Sequence, residues 1–176
     1  QIKAAVEFAV ELGLRPVISG GREAWKVAAL LVEKKVPVLI AGVMDSPLEP
    51  YDPYDAAFTN AAKLSAAGVL FAVSSGEDRH TNARNTPTHA AWCAAYGLDR
   101  DEALKAVTIY PARILGVDDR IGSLEAGKDA DLIVTTGDPL EAVTDVVHLF
   151  IGGRAVPLET RHTRNYEKFS RRLEPR

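Results

Sequence analysis

The chain has 176 residues, of which 47% are hydrophobic and 26% are charged, and its net charge at pH 7 is −3. This length and balance predict one globular domain, or two small ones, with enough apolar residues to bury a core. Since no basic face and no apolar run of about 20 residues is evident, we expect neither nucleic acid nor a membrane as a partner.

The start of the chain is unusual for a complete reading frame. The sequence opens with Gln1, and its single methionine is Met44. We therefore expect that the chain is a piece of a longer protein and that a targeting segment, if there is one, lies upstream. Localisation is left open for this reason.

The first half of the sequence alternates helical patterns with short apolar runs. The predicted elements, in order, are a helix at residues 2–12, a strand at 15–19, a helix at 22–34, a strand at 36–43, a helix at 54–67 and a strand at 69–74. This order is typical of parallel β–α–β units. Each unit takes about 30 residues, one eighth of a (β/α)8 barrel of about 250 residues, although an open doubly wound sheet fits the same pattern.

Two further helices are predicted after the third strand and a polar loop at residues 75–85. The first spans residues 87–96 and contains the only cysteine, Cys93, which excludes an intrachain disulfide and indicates a space-filling role. The second begins at Asp99, where Glu102 three residues later resembles a capping box, and runs to about Tyr110.

The pattern changes after Gly116, where helical spacing gives way to short strands. Strands are predicted at residues 121–124, 130–135, 146–151 and 154–156, followed by a charged helix in the tail. The pair Gly152 and Gly153 predicts a hairpin turn, because glycine adopts the positive φ angles of the primed turns. Along 130–135, alternation predicts one inward face, and Lys128 and Asp129 are expected at a solvated turn.

Residues 110–140, YPARILGVDDRIGSLEAGKDADLIVTTGDPL, and residues 146–156, VVHLFIGGRAV, carry a resemblance to a known family. They resemble the C-terminal end of metal-dependent amidohydrolases, above all the imidazolonepropionase-like members. The resemblance covers at least residues 99–156. It implies an α/β fold in which residues 1–115 are the last three β/α units of a TIM barrel, residues 116–158 a segment of a composite β-sandwich, and residues 159–176 a charged tail.

The resemblance also implies a reaction. Such a protein hydrolyses a carbon–nitrogen bond, in a cyclic or peptide-like amide, with water activated by a divalent metal ion, usually zinc. The family's ligands are a His-x-His on strand one, histidines after strands five and six, and an aspartate after strand eight. The strand-six histidine is absent here, since residues 19–21 read Ser-Gly-Gly. Most other ligands are expected upstream of Gln1.

The loop after the third strand holds the candidate catalytic residues Glu77, Asp78 and His80. In the family this loop supplies the strand-eight carboxylate, which acts as general base and then as acid toward the leaving amine. The carboxylates stand slightly later than the family pattern places them, and a solvated polar loop explains the same residues equally well.

Other polar residues have weaker functional interpretations. His89 and His148 fit packing roles in a helix and a strand. Gly20 and Gly21 form either a turn or an anion-binding backbone. Two further groups are a possible carboxylate-binding set, Asn82, Arg84 and Asn85, and a set that turn formation or helix capping explains, Asp45, Asp52 and Asp55.

Two alternatives to a hydrolase follow from the same residues. The missing strand-six histidine also fits a non-catalytic homologue that serves as a binding or scaffold module. A metal-free α/β binding domain outside the family is the third alternative, and the sequence of residues 110–140 argues against it. The expected partner is a small or peptide-like amide, and a homo-oligomer is possible. Because an edge strand would be left unpaired, we expect the isolated chain to be inactive and to aggregate.

Overall fold

The computed structural model describes residues 1–76 and 80–171, apart from the side chains of residues 80 and 81. The helices are α1 (Ile2–Glu11), α2 (Ala28–Glu33), α3 (Ala56–Ala67), α4 (Thr86–Ala95), α5 (Arg100–Lys105), α6 (Ile109–Leu115) and α7 (Arg161–Ser170). The strands are β1 (Ile18–Gly20), β2 (Val38–Ile40), β3 (Phe71–Val73), β4 (Leu132–Thr135), β5 (Val146–Ile151) and β6 (Arg154–Val156). Short 3₁₀ helices occupy Ala24–Val27 and His80–Asn85.

The first three strands form one parallel sheet in the order β1-β2-β3. Ile18 pairs with Val38, and Ile40 pairs with Val73. Each strand has only three residues in the ladder, because the flanking apolar residues, such as Val36 and Val43, are buried in the connections instead. The predicted parallel arrangement of these strands is confirmed.

One apolar core lies around this sheet and the helices that cover it. Its largest fully buried side chains include Phe71, Leu31, Leu64 and Val6, from the central sheet and from three different helices. Cys93 of α4 is fully buried in this core, as expected for a space-filling residue, and burial raises the pKa of its thiol to about 12. Val6 of α1 and Leu31 of α2 therefore face this core, as expected for amphipathic helices, whereas Val10 and Val32 of the same helices are 40% and 41% exposed.

Two predicted helices are shorter in the structure than the sequence pattern indicates. The helix expected at residues 22–34 starts as a 3₁₀ turn and becomes α-helical only at Ala28, because the chain turns sharply at Gly20 and Gly21. The helix expected to reach Tyr110 ends at Lys105. There the Ala106 carbonyl accepts a hydrogen bond of 2.9 Å from the Val73 N–H, so it covers the outer edge of β3.

The last three strands form an antiparallel sheet in the order β4-β5-β6. Gly152 and Gly153 connect β5 to β6 with φ angles of 55° and 74°, which confirms the predicted hairpin. Residues 121–124 are not a strand. Gly122 has a φ of 94° and lies against α6, where an added Cβ would come within 2.8 Å of the Ala112 Cβ.

The exposure of this sheet differs from the sequence prediction. Ile133 and Val134 point to opposite faces, yet they are 48% and 42% exposed, so the expected inward face is open within the described part of the chain. Lys128 was expected in solvent, but its side chain is only 12% exposed and contacts Ser123 and Glu125. No helix within residues 1–76 and 80–171 has the length and apolar character to cross a membrane.

Candidate functional site

The ends of the three parallel strands meet along one side of the sheet, which we call the carboxyl edge and define as residues 20–22, 41–46 and 74–76. Ligand sites in parallel sheets lie at this side, because the connections that follow the strands converge there. A cavity of about 630 Å³ opens at the end of β1. Its lining includes Gly20, Gly21, Arg22, Lys26 and Glu49.

The turn after β1 is held in one conformation by its surroundings. Gly21 has a φ of 50°, and a Cβ at this position would overlap Val38 Cγ1. The buried amide of Asn60, from α3, donates a hydrogen bond of 2.9 Å to the Gly21 carbonyl. Glycine is therefore required at position 21 both for its φ angle and for its missing side chain.

Arg22 joins the ends of β1 and β2. Its Nη2 donates a hydrogen bond of 2.8 Å to the Ser46 carbonyl and lies 3.7 Å from Asp45 Oδ2. The Asp45 N–H in turn donates to the Gly42 carbonyl at 3.0 Å, which closes a tight turn after β2. Asp45 forms part of a turn, as predicted, but it also faces a cation.

Lys26 is another cation at the cavity, and two carboxylates neutralise it. Its ammonium donates hydrogen bonds to Glu23 and, at 2.9 Å, to Asp52 Oδ1, and these bonds raise the pKa of Lys26 above its usual range. Asp52, whose side chain is 8% exposed, therefore forms an ion pair rather than a helix cap. Asp55 stands at the N-cap of α3, but its side chain makes no capping hydrogen bond.

The predicted catalytic residues follow β3. Glu77 and Asp78 lie outside the described residues, as does the side chain of His80, whose backbone begins a 3₁₀ helix. Upstream of them, the Ser74 N–H donates to the Ile40 carbonyl at 2.8 Å. The predicted carboxylate-binding set lies entirely on this 3₁₀ helix and consists of Asn82, Arg84 and Asn85.

His89 lies near the carboxyl edge, a position that sequence reasoning missed. It belongs to the first half of α4, the helix that packs against β3. Burial lowers the pKa of its imidazole, while the charge of Asp45 and the backbone of Ser74 act in the opposite direction. Its Nδ1 is buried and has no hydrogen-bond partner among the described residues. The signal available in the sequence is its position on the helix that follows the third strand.

The described residues do not form a metal centre by themselves. Within residues 1–76 and 80–171, no group of three or more His, Cys, Asp or Glu side chains is placed to hold a metal ion. The strand-six position of the family pattern, residues 19–21, contains no histidine. His148, on β5, belongs to the separate antiparallel sheet.

Comparison with known proteins gives consistent matches. The sequence profile of the amidohydrolase family matches residues 56–156. The imidazolonepropionase of Stenotrophomonas maltophilia is 32% identical over 124 residues, which are 69% of this chain and 28% of that enzyme. The crystal structure of an amidohydrolase from Thermotoga maritima MSB8 is 36% identical and superposes with a TM-score of 0.78 over 88% of this chain and 40% of that one.

A more distant solved structure shares the fold. An adenosine deaminase from Xanthomonas campestris with bound zinc is 22% identical, with a TM-score of 0.65 over 96% of this chain and 45% of that one. The chain spans 8% to 28% of the curated relatives and 40% to 45% of the solved chains that it matches. The fold is thus a mixed α/β fold with one parallel and one antiparallel sheet, as in amidohydrolase structures.

Proposed function

Because the chain belongs to the amidohydrolase family, we propose that the protein hydrolyses a carbon–nitrogen bond in a cyclic or peptide-like amide. The observation that carries this proposal is the likeness over 88% of the chain to an amidohydrolase of 36% identity. The cavity at the carboxyl edge supports it, because this edge is where parallel α/β enzymes hold their substrates.

The proposed architecture is finer than the fold class alone. Residues 1–115 are the last three β/α units of a (β/α)8 barrel, residues 116–158 are a segment of a β-sandwich, and residues 159–176 are a charged tail. The parallel order β1-β2-β3 with intervening helices supports the first assignment. The open apolar faces of the antiparallel sheet support the second, because both sides of a single sheet remain uncovered.

We assign the acid–base residues of this proposal to the segment that follows β3. Glu77 or Asp78 accepts a proton from the attacking water and passes it to the departing amine, and His80 assists this transfer. In the sequence, Glu77 and Asp78 follow the last residue of β3 by four and five positions. Because catalytic groups of parallel α/β enzymes come from the segments that follow the strands, this sequence position supports the assignment.

A divalent metal ion, with zinc as our choice, belongs to the same proposal. Membership of the family and the zinc bound by the similar adenosine deaminase support it. The described residues do not fit such an ion on their own, since they contain no suitable group of three side chains. For this reason we assign no step of the reaction to the metal.

The proposal is tested by measuring amide turnover and bound metal in the protein that carries this chain. A panel of N-acyl amino acids, dipeptides and cyclic amides is assayed with the unaltered protein and with Glu77→Gln and Asp78→Asn. Loss of the true base lowers turnover by about 10²- to 10⁴-fold. Glu125→Gln, in the segment between α6 and β4, is the matched control and is expected to keep full turnover.

Each outcome has a clear meaning. Unchanged turnover in both Glu77→Gln and Asp78→Asn removes these residues as acid–base groups. A protein that binds no metal and cleaves none of the amides is instead the non-catalytic homologue, the alternative that the missing histidine at residues 19–21 favours.

A further inference from the structure

We propose that Arg22 is a carboxylate-binding residue at the carboxyl edge, so that the substrate is an amide that also bears a free carboxylate. This inference rests on the proposed hydrolase function, because it names the substrate class of the same site. It depends on where Arg22 lies, which of its donors are free and how its backbone is held.

Arg22 is accessible from the cavity and is partly shielded from solvent. It follows β1 directly and lines the 630 Å³ cavity, and its side chain is 33% exposed. Hydrogen bonds from a cation to an anion are strongest where water is partly excluded. An anion that enters the cavity therefore meets a guanidinium in favourable surroundings.

Most donors of the Arg22 guanidinium are unused. A guanidinium has five N–H groups, and among the described residues only Nη2 makes a hydrogen bond, to the uncharged Ser46 carbonyl. The 3.7 Å separation from Asp45 is too long for a hydrogen bond. Lys26, the neighbouring cation, differs because it already contacts Glu23 and Asp52. Lys3, a third cation on the cavity lining, has a side chain that is 69% exposed and lies 3.8 Å from Glu7. Arg22 is thus the cation at this cavity that combines unused donors with partial shielding from solvent.

The backbone beneath Arg22 is fixed before any ligand arrives. The Gly21 carbonyl accepts hydrogen bonds from the buried Asn60 amide and from the Ala24 N–H, at 2.9 and 3.0 Å. The bond to the Ser46 carbonyl restrains the side chain as well. A restrained guanidinium loses little conformational freedom on binding, which increases affinity.

The shape and charge of the group favour a carboxylate over other anions. The planar fork of arginine matches the two oxygens of a carboxylate. Asp45 stands beside it, so the local positive charge is only partly free, which suits a monoanion better than a dianionic phosphate. The ligand class is therefore a monocarboxylate, such as an N-acyl amino acid.

Binding of N-acetyl-L-alanine to the protein that carries this chain, measured by isothermal titration calorimetry, tests the proposal. N-acetyl-L-alaninamide, which keeps the amide but lacks the carboxylate, and inorganic phosphate are the comparison ligands, and both are expected to bind more weakly. Arg22→Gln should weaken binding of the acid by about tenfold or more, because a charge-assisted pair is lost. Arg15→Gln, an arginine replacement just before the other end of β1, should change it less than about twofold.

A second variant is expected to bind the acid more tightly rather than more weakly. Asp45→Asn removes the neighbouring negative charge and should tighten binding of the acid about threefold. Arg22→Lys should bind less tightly than the unaltered chain, since an ammonium lacks the fork. If Arg22 only held the Ser46 loop in place, Asp45→Asn would not tighten binding.

The proposal is overturned if the chain does not bind N-acetyl-L-alanine, if the acid and its amide bind equally, or if Asp45→Asn weakens binding. Circular dichroism checks that each variant is folded, and if Arg22→Gln is not, Arg22→Lys and Asp45→Asn decide the matter. The assay needs no turnover. A chain that binds the acid through Arg22 without cleaving any amide therefore refutes the proposed function and leaves the carboxylate site intact.

Discussion

Single side chains at the carboxyl edge acquire their roles from their neighbours. Arg22 is one of many charged residues in the sequence, and only its place after β1 directs it toward Ser46 and Asp45. His89 likewise looks like an ordinary helix residue, yet α4 brings its ring under the influence of Ser74 and Asp45. The loop residues Glu77, Asp78 and His80 remain predictions.

The lowered pKa of His89 predicts a pH dependence of stability. In the folded state the pKa lies below the ordinary value of 6.5, chiefly because burial disfavours the charged ring. As the pH falls below about 6.5, the unfolded chain therefore takes up a proton that the folded chain does not, and stability falls until the folded-state pKa is reached. Above that range the ring is neutral in both states and contributes no pH dependence.

Urea denaturation at pH 7.5 and pH 5.5 measures this effect. The loss of unfolding free energy between the two pH values should be smaller in His89→Gln than in the unaltered chain. His148→Gln, on the antiparallel sheet, is the control and should behave like the unaltered chain. Equal losses in all three proteins would contradict the prediction.

At the scale of elements, tertiary contacts make several strands and helices shorter than the sequence pattern predicts. Strands that the sequence predicts over five to eight residues have only three residues each in the structure. Flanking residues such as Val36 and Val43 are instead buried in the connections. The carbonyl of Ala106 bonds to β3, and the helix there ends. The turn after β1 shows the same dependence, because Gly21 must fit against Val38.

The Gly21 turn is open to a direct test. Gly21→Ala should lower the unfolding free energy by about 2 kcal/mol or more, because the methyl group overlaps Val38 Cγ1 and alanine disfavours a positive φ. Gly13→Ala is the matched control, since Gly13 also has a positive φ, of 68°, but has no atom within 4 Å of an added Cβ. Its cost should be about 1–2 kcal/mol, from the φ angle alone. Equal losses in urea denaturation would show that the overlap is relieved.

At the scale of the whole molecule, residues 138–141 connect the antiparallel sheet to the core around the parallel sheet. Leu140, in the connection between β4 and β5, is 4% exposed and belongs to the main core. Arg100 of α5 forms ion pairs with Asp138 and Glu141 on either side of it. Because these ion pairs are exposed to solvent, the buried leucine is the stronger link.

Leu140→Ala should therefore destabilise the whole chain. Removing a buried leucine side chain and leaving a cavity costs about 2–5 kcal/mol. Leu124→Ala is the control from the same region, because Leu124 is 84% exposed and its loss should change stability by less than about 0.5 kcal/mol. Chemical denaturation monitored by circular dichroism measures both. A Leu140→Ala protein as stable as the control would show that the antiparallel region is not anchored through the core.

Apart from the strand expected at residues 121–124, the order of the strands follows from the sequence alone. Hydrophobic periodicity places the three parallel strands, Gly152 and Gly153 specify a hairpin, and Asp99 accepts hydrogen bonds from the Asp101 and Glu102 N–H groups as the predicted cap. The reason is that each of these features depends on neighbours close in the chain. Only half of the capping box forms, since Glu102 instead contacts Lys105 and Tyr110.

Contacts between residues far apart in the chain are decided by the tertiary structure. The bond from Asn60 to Gly21 spans 39 residues, and that from Arg22 to Ser46 spans 24. Local propensity carries no information on such pairs, because they depend on how the strands and helices pack. The sequence therefore determined the family, the order of the parallel strands and the end of the sheet where a site is expected. Packing decided that Arg22 contacts Ser46 and that His89 lies near Asp45.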